Sequence, residues 1–154
     1  MLTIRAFAAF LALPAMIAGL IPWLWLLPAD RWRLRGTQLG WPVLAAGLFV
    51  LLWCVRDFYV IGRGTLAPWD PPRRLVVVGL YRYARNPMYV GVVAVIAGWS
   101  LVAGSLVLGG YAVFLLFVFH LRVVLYEEPV LARLFGKDWE QYRAKVNRWW
   151  PGLP

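Results

Sequence analysis

The sequence predicts an all-α, polytopic membrane helical bundle of about four transmembrane helices with a C-terminal amphipathic helix. Three observations predict it. Of the 154 residues, 62% are hydrophobic and only 15% are charged, where a soluble domain carries roughly 25% charged residues. A chain this short has too much surface for its volume to hide that apolar excess from water, so lipid is its natural solvent. The ten Trp and seven Tyr suit the headgroup level, where amphipathic rings settle.

The first apolar segment runs from about Ile4 to Leu27, with Pro14 and Pro22 as expected kinks. It is longer than the h-region of a signal peptide and ends among Pro22, Trp23, Trp25 and Pro28, so it reads as a retained helix. Asp30, Arg31, Arg33 and Arg35 form a short polar connection. A second segment, about Leu39 to Val55, is short but spans at the lower limit of length, and Arg56 and Asp57 close it. The stretch from Arg56 to Pro87 follows. It carries Gly62, Gly64, Pro68, Pro71 and Pro72 and then a β-branched run, Leu75 to Val78, expected to lie extended over the protein. A third helix from about Met88 to Ala103 and a fourth from about Leu106 to Tyr126 are joined by Gly104-Ser105 and read as a helical hairpin.

Glu127-Glu128-Pro129 marks the membrane exit, and an amphipathic tail follows, with Leu131, Leu134, Phe135, Trp139, Tyr142 and Val146 at three- and four-residue steps. The chain is thus expected to be a single domain, residues 1–154. Its parts are two N-terminal helices (1–57), a cytosolic loop (58–87), the hairpin (88–126) and a cytosolic tail (127–154). With four spans, thirteen of the sixteen Lys and Arg fall on the side of the large loop and tail, against Arg31, Arg33 and Arg35 on the other. The positive-inside rule then makes the large loop and tail cytosolic, in a bacterial inner membrane or an endomembrane.

The net charge of +9 raises nucleic acid as a partner. The basic residues sit at the ends of apolar runs beside Trp and Tyr, however, which is the pattern of topology determinants, so no nucleic acid is expected. The single cysteine, Cys54, excludes an internal disulfide and a cysteine-based zinc site and reads as an inert packing residue. No His, Cys and carboxylate cluster has metal-ligand spacing, and no Walker or Rossmann glycine loop is present. His120 reads as a packed or pore-facing histidine, hydrogen-bonded across helices, rather than a catalytic base, and Gly109-Gly110 as a close helix contact.

The hairpin brings two polar stretches to one membrane face. One is Gly79 to Gly91, with Tyr81, Arg82, Tyr83, Arg85, Asn86, Pro87 and Tyr89; the other is Arg122 to Pro129, with Tyr126 and the acids Glu127 and Glu128. Asn86 and Pro87 make a helix start as N-cap and first helical residue. Such an N-terminus offers free N–H groups and partial positive charge to an anion. Arg85 adds a fork for a carboxylate, the tyrosines add aromatic faces, and Gly91 permits close backbone approach. Carboxylates at a membrane boundary need partners, and Arg85 or Arg122 can supply them.

At these two stretches the sequence resembles the isoprenylcysteine carboxyl methyltransferase family, membrane enzymes that use S-adenosylmethionine and include phospholipid methyltransferase relatives. The pattern Gly-x-Tyr-x-x-x-Arg-His-Pro-x-Tyr-x-Gly stands here as Gly79, Tyr81, Arg85, Asn86, Pro87, Tyr89 and Gly91. The pair Glu127-Glu128 follows, then Phe135-Gly136, Trp139 with Tyr142, and the closing Val146 to Pro151. The resemblance implies that Tyr81, Arg85, Asn86, Pro87, Tyr89 and Gly91 line an S-adenosylmethionine site. Glu128 joins them there, and Glu127, Glu128 and Arg122 have the catalytic part. Asn86 replaces the family's His; it donates and accepts hydrogen bonds but does not titrate near neutral pH, so it is not read as a base. The implied activity is methyl transfer to a lipophilic or small acceptor, such as an isoprenylcysteine carboxylate or a lipid amine or thiol, with membrane lipids as partners. The alternatives are a sterol-type reductase using NADPH, which looks similar around Arg-His-Pro-x-Tyr, and a non-enzymatic membrane scaffold.

Overall fold

The computed structural model describes residues 11–26, 30, 34–61 and 74–151. The start of the first segment, Arg31 and Arg33, and the turn features expected at Gly62, Gly64, Pro68, Pro71 and Pro72 lie outside the described residues. The described residues form an all-α bundle with no strand, only an isolated parallel bridge between Ala84 and Asn147.

Helix α1 comprises Leu11–Leu20 and Pro22–Leu26, both π-wound, and is divided next to Pro22. Pro14 and Pro22 carry no N–H, and a wide turn is one way a membrane helix absorbs the missing donors. Helix α2 is Gly40–Val60, α3 is Pro87–Ala103, α4 is Leu106–Arg122 and α5 is Glu128–Lys145. By length and apolarity two helical stretches suffice to cross a membrane, Gly40–Phe58 and the helix beginning at Leu106; Ala15–Leu24 and Pro87–Ala103 are shorter apolar helices. Phe49 on α2 and Val113, Phe114 and Phe117 on α4 remain well exposed. That leaves the outer faces apolar, as lipid requires.

The α2 helix overruns its expected end. Arg56 and Asp57 were expected to close it, yet the helix continues to Val60. Arg56 stays exposed and donates to the buried Asp57 carboxylate at 3.0 Å, so two charges are accommodated inside the helix rather than ending it. Helices α2 and α3 pack antiparallel along a seam of glycines. A Cβ at Gly47 would lie 2.6 Å from the Val95 nitrogen, one at Gly98 2.5 Å from the Leu44 nitrogen, and one at Gly91 2.9 Å from the Leu51 nitrogen. Small residues of this kind let two membrane helices approach backbone to backbone. The seam was expected at Gly109-Gly110 instead. Nothing stands within 4 Å of a Cβ at Gly110, and Gly109 meets only the Ser100 hydroxyl, so that pair makes no tight seam among the described residues.

The hairpin turns as expected. Gly104 caps α3 with φ 64°, a left-handed conformation that glycine adopts without steric cost. Ser105 caps α4, its hydroxyl accepting from the Leu108 N–H at 3.1 Å and donating to the Asp30 carboxylate. The Leu34 N–H donates to the Gly104 carbonyl at 2.7 Å, and the Thr37 N–H to that of Leu101 at 2.9 Å. The short polar connection and the uncharged turn therefore share one end of the bundle. A core of Ala18, Leu51, Val92, Ile96, Ala112, Leu115 and Phe119 joins α1 to α4. The ends of α2 and α4 and the start of α3 lie together at the other end.

At that end the expected membrane exit at Glu127-Glu128-Pro129 is not a break. Val123–Glu127 forms a π-wound turn that leads directly into α5, where Pro129 occupies the first turn and its missing N–H costs little. The break comes later, at Gly136, with φ 48° and ψ −118°. Trp139 and Val146 of the tail's apolar stripe are buried, while Leu134, just before the break, is exposed.

Candidate functional site

The site is built where α3 begins and α4 passes into α5. Pro87 opens α3 and is buried with Gly91, whose missing side chain is filled by α2. Within the first turn, Tyr89 lays its ring on Phe119 of α4, with centroids 4.4 Å apart and planes at 24°. Its hydroxyl donates to Glu127 Oε1. Arg122 Nε reaches the same oxygen at 2.8 Å and the Tyr89 hydroxyl at 3.1 Å, and its guanidinium lies 5.9 Å from the Tyr126 ring centre. Tyr89, Arg122 and Glu127 thus form one closed group.

Glu128 has separate partners. Arg85 Nη1 lies 3.0 Å from Glu128 Oε1 as an ion pair off the hydrogen-bonding direction. Arg148 grips the carboxylate with both arms, Nε to Oε1 at 2.7 Å and Nη2 to Oε2 at 2.9 Å. Burial pushes the Glu128 carboxyl up, but the Arg148 hydrogen bonds and the charges of Arg85, Arg148 and Arg143 outweigh it and hold the carboxyl below its ordinary range. Burial also lowers Arg85 from its ordinary value, against the pull of Glu128. The Glu128 hydrogen bond raises Arg148.

The tail returns to make these contacts. After the break at Gly136, Tyr142 donates its hydroxyl to the Tyr81 carbonyl at 2.7 Å, and the Arg85 N–H donates to the Asn147 carbonyl at 2.9 Å. The Asn86 amide donates to the Arg148 carbonyl at 3.2 Å. Asn86 therefore stands at the N-cap position without capping the helix through its side chain; the amide is spent on the tail. Trp149 donates its indole N–H to His120 Nδ1 at 3.2 Å; the histidine expected to be packed between helices is instead exposed, and its partner lies in the tail rather than on a neighbouring helix.

Of the residues singled out from the sequence, Arg85, Asn86, Tyr89, Arg122, Glu127 and Glu128 come together here. Pro87 and Gly91 shape the backbone beneath them. The Tyr81 ring turns away: it is buried beside Cys54 and packs at 6.4 Å on Phe58, and burial raises its hydroxyl well above the ordinary tyrosine value. Its hydrogen bond to the tail is made by the carbonyl, which accepts from Tyr142. Sequence reasoning missed Arg148, and it placed Trp139 in the tail motif but not in the site. The Arg85 guanidinium lies 5.3 Å from the centre of the Trp139 ring. The signal for Arg148 was present, a cation near the end of a tail already expected to close on Pro151, but nothing local says that the tail doubles back.

The donor set suits an amino-acid-bearing ligand. Arg85 Nε and Trp139 Nε1 are buried without a hydrogen-bond acceptor among the described residues. Buried donors of this kind call for an acceptor oxygen, such as that of a carboxylate. Glu128 offers the complementary anion for an ammonium group.

A phospholipid methyltransferase family model matches residues 37–138. That stretch takes in α2, α3, α4, the acid pair and the first half of α5. The chain is also 35% identical over 80 residues to the protein-S-isoprenylcysteine O-methyltransferase of Schizosaccharomyces pombe, a match covering 52% of this chain. It spans about a third, 34%, of that curated relative's length. No solved structure matches the chain. The chain belongs to the phospholipid methyltransferase family, and its resemblance to the isoprenylcysteine carboxyl methyltransferases is borne out.

Proposed function

We propose that this chain binds S-adenosyl-L-methionine at the joined ends of α3 and α4 and transfers its methyl group to a lipophilic or small acceptor. The acceptor class is an isoprenylcysteine-type carboxylate or a lipid amine or thiol. The observation that carries the reading is the meeting of Arg85 with Glu128 at 3.0 Å, beside the Tyr89, Arg122 and Glu127 group, in a chain of this family.

When bound, S-adenosylmethionine supplies an electrophilic methyl group on sulfur. In this reading the chain's own residues mainly position, because an in-line displacement needs orientation more than acid–base chemistry. Arg85, with its unsatisfied Nε, and the first N–H groups of α3 hold the carboxylate of the amino-acid portion. Glu128 receives the ammonium group. Asn86 holds the tail against the site through the Arg148 carbonyl, and Pro87 and Gly91 fix the backbone. Glu127, aligned by Tyr89 and Arg122, orients the acceptor or takes its proton. Tyr81 belongs to the reading as a backbone support through its carbonyl rather than as a ring contact.

The same proposal places the chain as one multi-pass integral membrane domain with the site facing the cytosol, in a bacterial inner membrane or an endomembrane. Support comes from the excess of Lys and Arg on the loop and tail side. Membrane lipids are its surroundings, and nucleic acid has no part. The test is a labelled-methyl assay with S-adenosylmethionine and a total membrane extract, read by lipid separation and mass spectrometry. Label transferred to an extractable acceptor by the wild-type protein, and lost in Glu127→Gln with folding intact, is the expected result. A folded wild-type protein that labels nothing overturns the proposal.

A further inference from the structure

A groove separate from the acid pair runs between the segment preceding α3 and the second half of α5. Its volume is about 1050 Å³, and it is bounded on one side by Arg74, Leu75, Val77 and Arg82. On the other side stand Phe135, Asp138, Gln141, Tyr142, Lys145 and Val146. The lining thus carries three cations, Arg74 and Arg82 on one wall and Lys145 on the other, with one carboxylate, Asp138, among apolar side chains. None of Arg85, Tyr89, Arg122, Glu127, Glu128 or Arg148 lines it. The bond from the Tyr142 hydroxyl to the Tyr81 carbonyl, with buried Val146, closes the groove's inner wall.

Its level relative to the bilayer follows from the break at Gly136. Were α5 unbroken, its 18 residues would carry Lys145 about 27 Å beyond the end of the bundle. Instead the chain folds back, so that Asn147 pairs with Ala84, Arg148 with Glu128, and Trp149 with His120, inside the last turn of α4. Tyr142 and Lys145 are within a few residues of those contacts, and Arg82 lies five residues before the start of α3. The groove therefore opens at the height of the lipid headgroups, with the exposed Val77 beside it.

We infer that this groove is a binding site for the headgroup of an anionic phospholipid, distinct from the site of methyl transfer. Arg74, Arg82 and Lys145 surround the phosphate, and Leu75, Val77 and Phe135 receive the glycerol and the first methylenes of the chains. A zwitterionic headgroup brings its own cation into the same three and is disfavoured. A soluble phosphate lacks the apolar part and leaves the apolar side chains uncovered. The occupied groove holds α5 against the segment before α3, so the lipid steadies the tail that carries Arg148.

The test is native mass spectrometry of the whole detergent-solubilised protein titrated with dioleoylphosphatidylglycerol, with dioleoylphosphatidylcholine, and with glycerol 3-phosphate. Thermal unfolding is read in parallel. One phosphatidylglycerol is expected to be retained in preference to phosphatidylcholine by at least about tenfold. The variant Arg74→Gln/Arg82→Gln/Lys145→Gln loses that preference. The variant Arg35→Gln/Arg133→Gln/Lys137→Gln, which removes equal charge outside the groove, keeps it. If the triple groove variant does not fold, Arg82→Gln alone is expected to lower the preference several-fold. Equal loss in both triple variants shows mere surface charge and overturns the inference. So does stabilisation by glycerol 3-phosphate as strong as by the lipid, or displacement of the lipid by S-adenosylhomocysteine.

Discussion

Tyr89 and Glu127 stand 38 residues apart in the chain and share a hydrogen bond, which Arg122 completes by donating from Nε to both side chains. The relationship exists because the turn at Gly104-Ser105 returns α4 to the level at which α3 began. Tyr89→Phe keeps the ring stack on Phe119 and removes only the hydroxyl. The expected cost in stability is about 1 kcal/mol. Methyl transfer is expected to fall by at least about tenfold as Glu127 loses alignment. A labelled-methyl assay beside a thermal melt checks both, and unchanged transfer contradicts the role given to the hydroxyl.

The seam between α2 and α3 makes a prediction about packing. At Gly98 a Cβ would stand 2.5 Å from the Leu44 backbone nitrogen, where no flexible side chain can give way. Gly98→Ala is therefore expected to destabilise the folded protein by about 1–3 kcal/mol. Gly110→Ala, with open space around the added carbon, is expected to be neutral or better. Thermal unfolding in one detergent compares the two, and equal melting temperatures contradict the seam.

Much of this site was legible in the sequence. An uncharged turn between two apolar runs shows that Gly79–Gly91 and Arg122–Pro129 end on the same face, and Arg85, Tyr89, Glu127 and Glu128 do meet there. The π-wound turn at Val123–Glu127 was not legible, because nothing in Val-Val-Leu-Tyr-Glu distinguishes it from ordinary helix. Nor was the direction of Tyr81, since a short 3₁₀ turn presents residues to every side and only the buried pocket at Cys54 and Phe58 decides which ring goes in. Asp57 looked like a helix terminator and proved to be buried within the last turn of α2, a tertiary outcome that local composition does not carry. Arg148 reaches the site only because Gly136 breaks α5. The aromatic-glycine step marked the place of that break without indicating its angle.

Gly136 has φ 48° and ψ −118°, which L residues with side chains rarely adopt, although a Cβ there meets nothing. Gly136→Ala is expected to cost about 1–2 kcal/mol from the backbone alone. The cost should appear as release of the returning tail: lower thermal stability and faster proteolysis after Lys145, with α2 to α4 unaffected. Protection of the tail equal to wild type contradicts the hinge.

The Glu128 carboxyl is held below its ordinary 4.5 by Arg148, Arg85 and Arg143, despite the opposing effect of burial. A depressed carboxylate contributes stability that is fully present above the unfolded value and is lost as pH falls through the folded one. Melting temperature is thus expected to hold from neutral pH down to about 4.5 and then to drop. Glu128→Gln is expected to start lower at neutral pH and to show a shallower acid drop. Parallel pH profiles for the two proteins contradict the pairing.

The most direct test is isothermal titration of the detergent-purified protein with S-adenosylhomocysteine. Saturable binding by the wild type, weakened at least about tenfold in Glu128→Gln and in Arg85→Gln with folding retained, is the result expected of a site built at the joined ends of α3 and α4. A folded wild-type protein that takes up no ligand, or binding that survives both substitutions unchanged, contradicts it.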